Sequence, residues 1–326
     1  MKVIVIQTAF IGDVILATAV AEKLHQFYPE AEIDFVVRKG NEGLLTGHPF
    51  IKTVFVWDKK QNKIRNLFSI TKRIRANKYD YVINLHRFAS SGFITGFSGA
   101  KNKVGFGKNP LSFLFSSKIK HEIGNGKHEV ERNQQLIESI TDKQFAKPRL
   151  YPSPENFEAV KKYKTGPYVC LAPTSVWFTK QFPKEKWMEL CELLPENLTI
   201  YLLGAPGDVT ACEDIKSKVS SSKFNSIVVL AGKLNFLESA ALMKDAQMNY
   251  VNDSAPMHIA SAMNAATTAI FCSTVPAFGF GPLSDNSKII ETTEKLTCRP
   301  CGLHGHAACP LGHFKCGYGI DIKKLL

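Results

Sequence analysis

The sequence predicts an α/β protein with two parallel sheets, one in each half of the chain. Short apolar runs alternate with stretches of helical length from end to end, the pattern of a parallel sheet whose crossovers are helices. A Pro-rich stretch, KPRLYPSPEN (Lys147–Asn156), interrupts the alternation once, and the pattern then starts again. The 326 residues and 44% apolar content suit two buried cores.

In the first half, Val3–Gln7 reads as a strand and Asp13–Tyr28 as a helix. Ile33–Arg38 and Thr53–Trp57 are strands, and Lys59–Asn77 is a basic helix. Tyr79–Leu85 is a strand ending at His86-Arg87, Ser90–Phe97 suits a helix, and Lys103–Phe106 is a short strand. LSFLFSSKI (Leu111–Ile119) is apolar but follows neither period, and His128–Ile140 is helical. In the second half, strands at Tyr168–Ala172, Leu198–Leu203, Ile227–Leu230, Gln247–Val251 and Thr267–Phe271 alternate with helices at Lys184–Leu194, Asp208–Ser221, Phe236–Lys244 and Met257–Met263. Ligands of such sheets bind at the carboxyl ends of the strands.

The formal charge of +12 favours anionic partners: phosphorylated substrates, an anionic membrane face or nucleic acid. No apolar run has the length of a membrane span. The N-terminal MKVIVIQTAFIGD reads as a buried strand, because Gln7, Thr8 and Asp13 interrupt the apolar core a signal peptide needs. A cytoplasmic location is expected.

Three constellations carry chemistry. Gly12-Asp13 opens the first helix, with Gly12 suited to a tight turn or close ligand approach and Asp13 suited to general-base work. The loop lacks G-x-G-x-x-G, which disfavours a dinucleotide site. Thr174, Ser175 and Thr179 offer hydroxyls after a strand, and Lys180 offers a point charge for a diphosphate. Asp253-Ser254-Ala255-Pro256 starts a helix whose free N–H groups and positive end favour a phosphate, with His258 one turn on. The bland readings are helix caps at Asp13 and Ser254, a surface lysine at Lys180 and a packed histidine at His258.

Together these stretches resemble family 9 glycosyltransferases, the heptosyltransferases of lipopolysaccharide synthesis. The resemblance rests on IGDVILATAV (Ile11–Val20), on YDYVINLHRFASSGFITGFSGAKNKVGF, and on Ala172-Pro173-Thr174-Ser175 with Lys180, Pro183 and Trp187 downstream. LLGAPGD, NDSAPMHIASAM and the Cys-rich C-terminus complete it. The resemblance implies a GT-B fold: two Rossmann-like domains facing a central cleft, residues 1–150 for the acceptor and 151–326 for the nucleotide sugar. It implies Asp13 as base and Lys180 as diphosphate contact, with Asp253, Ser254, Ala255, Pro256 and His258 at the phosphates. Thr174, Ser175 and Leu234 fall where the family binds the nucleotide. Gly12, His86, Arg87, Lys101 and Lys103 are expected to meet an anionic acceptor. Ala255 stands where the family commonly has Gly, and Pro206 replaces an acidic residue, with Asp208 two places on.

The expected reaction is inverting transfer of heptose from ADP-heptose to a lipopolysaccharide core acceptor, either lipid A-Kdo or heptosylated, that is, an anionic lipid-linked saccharide. Asp13, near a helix N-terminus, is expected to have a lowered pKa. No D-x-D pair occurs in the second half, so no cofactor is expected for catalysis. The basic helix KKQNKIRNLFSITKRIR is expected either to cover the sheet, to touch the inner membrane surface peripherally, or to meet a phosphorylated lipid acceptor. Cys298, Cys301, Cys309 and Cys316 have spacings compatible with a structural zinc, distant from the reaction. The alternatives are a related transferase with another nucleotide sugar, or a basic nucleic-acid-binding protein. The second is not expected, because the lysines form no recognisable module.

Overall fold

The computed structural model describes residues 1–219 and 226–326, which form two compact units, Met1–Tyr151 and Pro152–Leu326. The first contains β1 (Lys2–Ile6), α1 (Ile11–Phe27), β2 (Glu32–Arg38), β3 (Ile51–Trp57), α2 (Lys63–Ala76), β4 (Tyr81–Asn84), α3 (Ala89–Phe97), β5 (Asn102–Phe106), β6 (Ser117–Ile119) and α4 (Glu129–Gln134). The second contains α5 (Pro154–Lys161), β7 (Tyr168–Ala172), α6 (Lys184–Leu193), β8 (Thr199–Leu202), α7 (Val209–Lys218), β9 (Ser226–Val229), α8 (Phe236–Lys244), β10 (Asn249–Asn252), α9 (Ala255–Ala262), β11 (Thr267–Phe271), β12 (Ser287–Glu291) and α10 (Lys315–Tyr318). The last residues expected in the helix Asp208–Ser221 lie partly outside the described residues.

Each unit holds a six-stranded parallel sheet, in the orders β3-β2-β1-β4-β5-β6 and β12-β11-β10-β7-β8-β9. The two orders are the same topology: a first strand at the centre, two strands added on one side and three on the other. The direction of addition reverses between β1 and β4, and again between β7 and β10. A crevice opens at such a switch point outside the carboxyl ends. The central strands are sealed on both faces, which is why KVIVI and YVCLA read as continuous apolar runs.

Two strands escape the sequence reading, β6 and β12. Both are sheet edges, mostly exposed, and are written in polar residues (SKI, SKIIE). Each leaves few residues facing the core, so no apolar pattern builds up, unlike the edge strand β3 with Ile51, Phe55 and Trp57 buried. Helix α5 lies partly within the expected linker. Ser153 caps it by accepting from Asn156 N–H at 3.4 Å, the Asn156 side chain accepts from Ser153 N–H at 2.9 Å, and Pro154 fits the first turn. Helix α2 begins four residues later than expected, after Asn62 in left-handed geometry (φ 45°). It covers the sheet through Ile70 and Ile74, while Ile64 and Phe68 stay exposed. The core of the second unit takes in Phe314, Cys316, Ile320, Ile322 and Leu325, so the C-terminal segment is built into that unit.

Candidate active site

In the first unit, Thr8 follows β1 and His86 follows β4, so both stand at the switch point. Thr8 Oγ1 and His86 Nδ1 are 3.2 Å apart. They share a cavity of about 700 Å³ with Arg38, Lys59, Lys63 and an apolar wall that includes Trp57, Phe88 and Phe93. Burial, with Lys59 and Arg87 nearby, pushes His86 down to about 3, so its imidazole is neutral. Burial, with Arg38 and Lys63, pushes Lys59 down to about 8, and its ammonium donates to Thr8 O at 2.6 Å.

Helix α1 begins at Ile11, so Gly12 and Asp13 lie in its first turn. The backbone of Gly12 is helical, so of its two expected uses the tight turn does not occur. Asp13 Oδ2 accepts the Phe10 N–H at 3.2 Å, so the residue does close the helix start as the bland reading has it. The expected lowering of its pKa is wrong. Burial raises the carboxyl, to about 6, and the Glu129 carboxylate adds to the rise. The Phe10 N–H and the Arg87 guanidinium pull the other way without winning. Asp13 keeps part of its surface in solvent, which limits how far burial alone can act.

Near Asp13 lies a chain of polar groups, buried except at half-buried Arg87. Arg87 Nη1 donates to His121 Nδ1 at 3.3 Å, His121 Nε2 reaches Glu129 at 3.1 Å, and Arg132 Nε donates to Glu129 at 2.7 Å. Burial works against the ionised Glu129, but His121 and Arg132 outweigh it and hold the carboxyl below its usual range. Arg87 is thereby held near Asp13.

In the second unit, Thr174 and Ser175 follow β7 and Asp253 follows β10, again at the switch point. Lys180 sits in a three-residue 3-10 turn (Phe178–Lys180). Its ammonium lies 2.7 Å from Asp253 Oδ2, with both side chains largely buried. Thr274 donates to the same oxygen at 2.6 Å. Asn252 fixes the surrounding loops: its Oδ1 accepts from Phe182 N–H at 2.9 Å and its Nδ2 donates to Ala172 O at 3.3 Å. Gln181 holds the Ser175 carbonyl at 2.7 Å. Ser254 is the N-cap of α9, but its hydroxyl turns back to Asn252 O (3.4 Å) and leaves the cap position unbonded. Pro256 has no N–H, and the Met257 N–H bonds to Ser254 O, so the donors left for an anion are the N–H groups of Ser254 and Ala255. His258 is buried. Leu234 stands just before α8, beside Gly232, where an added Cβ would lie 2.9 Å from Pro206 Cα. Asp208 accepts the Ala205 N–H at 2.7 Å and so closes its own turn.

A family model described as glycosyltransferase family 9 (heptosyltransferase) matches residues 67–306, most of the chain. The chain belongs to glycosyltransferase family 9. The transferase is 28% identical over 293 residues to lipopolysaccharide heptosyltransferase 3 of Escherichia coli K12, covering 84% of this chain and 83% of that one. Among solved structures it resembles a family 9 glycosyl transferase from Veillonella parvula (TM-score 0.80, 20% identity, 88% and 85% covered). It also resembles the E. coli ADP-heptose lipopolysaccharide heptosyltransferase II (TM-score 0.78, 21% identity, 94% and 92% covered). The fold of the transferase is the two-sheet GT-B type.

Two expected acceptor residues fall elsewhere. Lys101 and Lys103 lie at the amino end of β5, whereas His86 follows the carboxyl end of the parallel neighbour β4. Lys101 pairs with Asp80 at 2.7 Å, and Lys103 caps α3 through Gly96 O at 2.8 Å. The sequence places them beside a strand without giving its direction relative to the pocket.

The C-terminal cysteines also depart from expectation. Among the described residues no group of three or more His, Cys, Asp or Glu side chains is arranged to hold a metal ion. Cys316 is packed into the apolar core, and the Cys298 Sγ to His313 Nε2 distance is 4.0 Å. Nor is the segment remote from the candidate site, since the His306 N–H donates to Thr179 Oγ1 at 2.8 Å, next to Lys180. Sequence reasoning missed Arg38, Lys59, Lys63, His121, Glu129 and Thr274. Only the basic run from Lys59 to Lys63 carries a sequence signal for any of them, as part of a helix expected to cover the sheet, touch the membrane or meet a phosphorylated lipid acceptor, without either lysine being singled out.

Proposed function

We propose that the protein transfers heptose from ADP-heptose to a lipopolysaccharide core acceptor with inversion at the anomeric carbon. The observation that carries the reading is the paired Lys180 and Asp253 at the switch point of the second unit, beside the open N–H groups of Ser254 and Ala255. A diphosphate leaving group needs such fixed positive groups as its charge develops. Lys180 is held ready by Asp253, and the incoming phosphate takes over the ammonium. Thr174, Ser175 and Leu234 border the nucleoside.

In the first unit Asp13 accepts the proton of the acceptor hydroxyl as that oxygen attacks the anomeric carbon and the bond to the diphosphate breaks. A carboxyl near 6 is a stronger base than an ordinary aspartate and is still largely ionised at neutral pH. Arg38, Lys59 and Lys63 suit the anionic groups of the acceptor, and the aromatic wall suits its sugar faces. Neutral His86 and Thr8 suit hydroxyls.

Calorimetric titration with ADP, UDP and GDP tests the donor reading. Selective ADP binding supports it; preference for UDP or GDP replaces heptose with another sugar. A result without nucleotide binding overturns the reading.

The lipid-linked acceptor suggests contact with the cytoplasmic membrane face. Among the described residues no helix is long and apolar enough to cross a membrane. Exposed Ile64 and Phe68 on basic α2, the latter packed on Phe93 at 5.1 Å, favour a peripheral contact. We expect cosedimentation with phosphatidylglycerol vesicles at low salt, weakened by Ile64→Gln with Phe68→Gln. Equal recovery with and without vesicles would discard it. Structural zinc at Cys298, Cys301, Cys309 and Cys316 has only their spacing behind it; elemental analysis of the purified protein decides it.

A further inference from the structure

The short turn carrying Lys180 is stitched to two other segments. The Thr179 N–H donates to His306 O at 3.1 Å, and the His306 N–H donates to Thr179 Oγ1 at 2.8 Å. Ser273 Oγ donates to the same hydroxyl at 3.0 Å, and the Ser273 N–H donates to Thr179 O at 3.2 Å. Thr179 and Ser273 are both buried. The C-terminal segment grips the end of β11 a second time. The Cys301 N–H donates to Ser273 O at 2.8 Å, and the Arg299 guanidinium donates to the carbonyls of Cys272 (2.7 Å) and Thr274 (2.7 Å). One strand end therefore controls both members of the ion pair: Ser273 holds the turn of Lys180, and Thr274 holds Asp253.

Gly305 is where this arrangement depends on a missing side chain. Its φ of +74° is left-handed, and a Cβ there would stand 2.7 Å from Thr179 Oγ1, 3.1 Å from Lys180 Cγ and 3.1 Å from Ser273 Oγ. A Cβ essentially never comes as close as the first of these. The backbone of the C-terminal segment thus lies directly against the stem of Lys180, and any side chain at 305 would displace it.

We propose that Gly305 and Thr179 are positioning residues that clamp Lys180 for the donor diphosphate, so that the Cys-rich C-terminal segment serves donor binding. The proposal rests on the reading of Lys180 as the diphosphate contact. A lysine stem has four rotatable bonds, and a loose one contributes less to binding because its ordering is then part of the binding cost.

The test is ADP titration of the full-length chain and its variants, with thermal melting to confirm that each is folded. Gly305→Ala and Thr179→Val should each weaken ADP binding by about fivefold or more, a coupling of the size seen between neighbouring residues. Thr179→Ser keeps the hydroxyl and should bind like the parent. In a Lys180→Ala background neither clamp variant should weaken binding further. Should Gly305→Ala fail to fold, the Thr179→Val and Thr179→Ser pair carries the test alone. Unchanged binding in Thr179→Val, or equal losses with and without Lys180, would overturn the clamp. If Lys180→Ala alone leaves ADP binding intact, the diphosphate reading falls, and the clamp falls with it because no loss could then run through Lys180.

Discussion

Asp13→Asn is expected to lower the transfer rate by about 10²–10⁴-fold, the usual worth of a general base, while leaving ADP binding unchanged. The amide still fits the first turn of α1 and can accept the Phe10 N–H, so the helix start survives. Parent activity should fall through an apparent pKa near 6 as the pH is lowered, because only the ionised carboxylate accepts a proton. Stability should move the opposite way. A carboxyl raised on folding destabilises the folded state when ionised. That cost is fully present above the folded value near 6 and fades as the pH falls toward the unfolded value. The rise from the ordinary carboxyl value to about 6 sets a ceiling of about 3 kcal/mol. Partial solvent contact reduces this to about 1 kcal/mol. Asp13→Asn should therefore melt higher than the parent at pH 7.5, with the gap closing below pH 4. Urea melts at several pH values, run beside the rate profile, check both. A variant that loses stability at pH 7.5 together with activity would mean that Asp13 is chiefly a helix cap.

The second large effect concerns the ion pair. Lys180→Ala should weaken ADP binding by roughly 10–150-fold, the range for losing a charge-assisted hydrogen bond. It also leaves Asp253 largely buried with Thr274 Oγ1 on one oxygen. Breaking a buried pair costs ~3–5 kcal/mol, and the residual exposure of Lys180 puts this one at the low end. Asp253→Asn should do the reverse to binding. It removes a negative charge beside the diphosphate and keeps a hydrogen-bonding partner for Thr274, so ADP should bind more tightly, most clearly at low salt. Calorimetry on the two variants separates the roles. Equal weakening by both would mean that Asp253 matters mainly as the orienter of the lysine.

The sheets were legible where burial is complete. Residues 168–172 and 267–271 have the bounds the sequence predicts, because apolar runs with sharp polar ends mark buried strands well. β6 and β12 were not legible because these two edge strands are mostly exposed, whereas the edge strand β3, which buries Ile51, Phe55 and Trp57, was. At the sites, Asp13, Lys180 and Asp253 could be named because each stands in a short motif at the end of a strand. Their pairing could not, because Lys180 and Asp253 lie 73 positions apart (253 − 180) and meet only through the sheet order. The direction of the Asp13 shift failed because burial, which only the folded chain creates, raises the carboxyl most. The Glu129 carboxylate adds to the rise, and it comes from α4, packed on α1 from far along the chain. Gly305 stands in no motif of the sequence, and only the fold sets Thr179 against it.

The most direct test is a transfer assay with ADP-heptose and a Kdo-bearing lipid A acceptor, with the product read by mass and by NMR of the new anomeric centre. One heptose should be added per acceptor, with the anomeric configuration opposite to that of the donor, and Asp13→Asn should give almost none. A product with retained configuration would contradict direct displacement, and full activity in Asp13→Asn would contradict the assignment of the base.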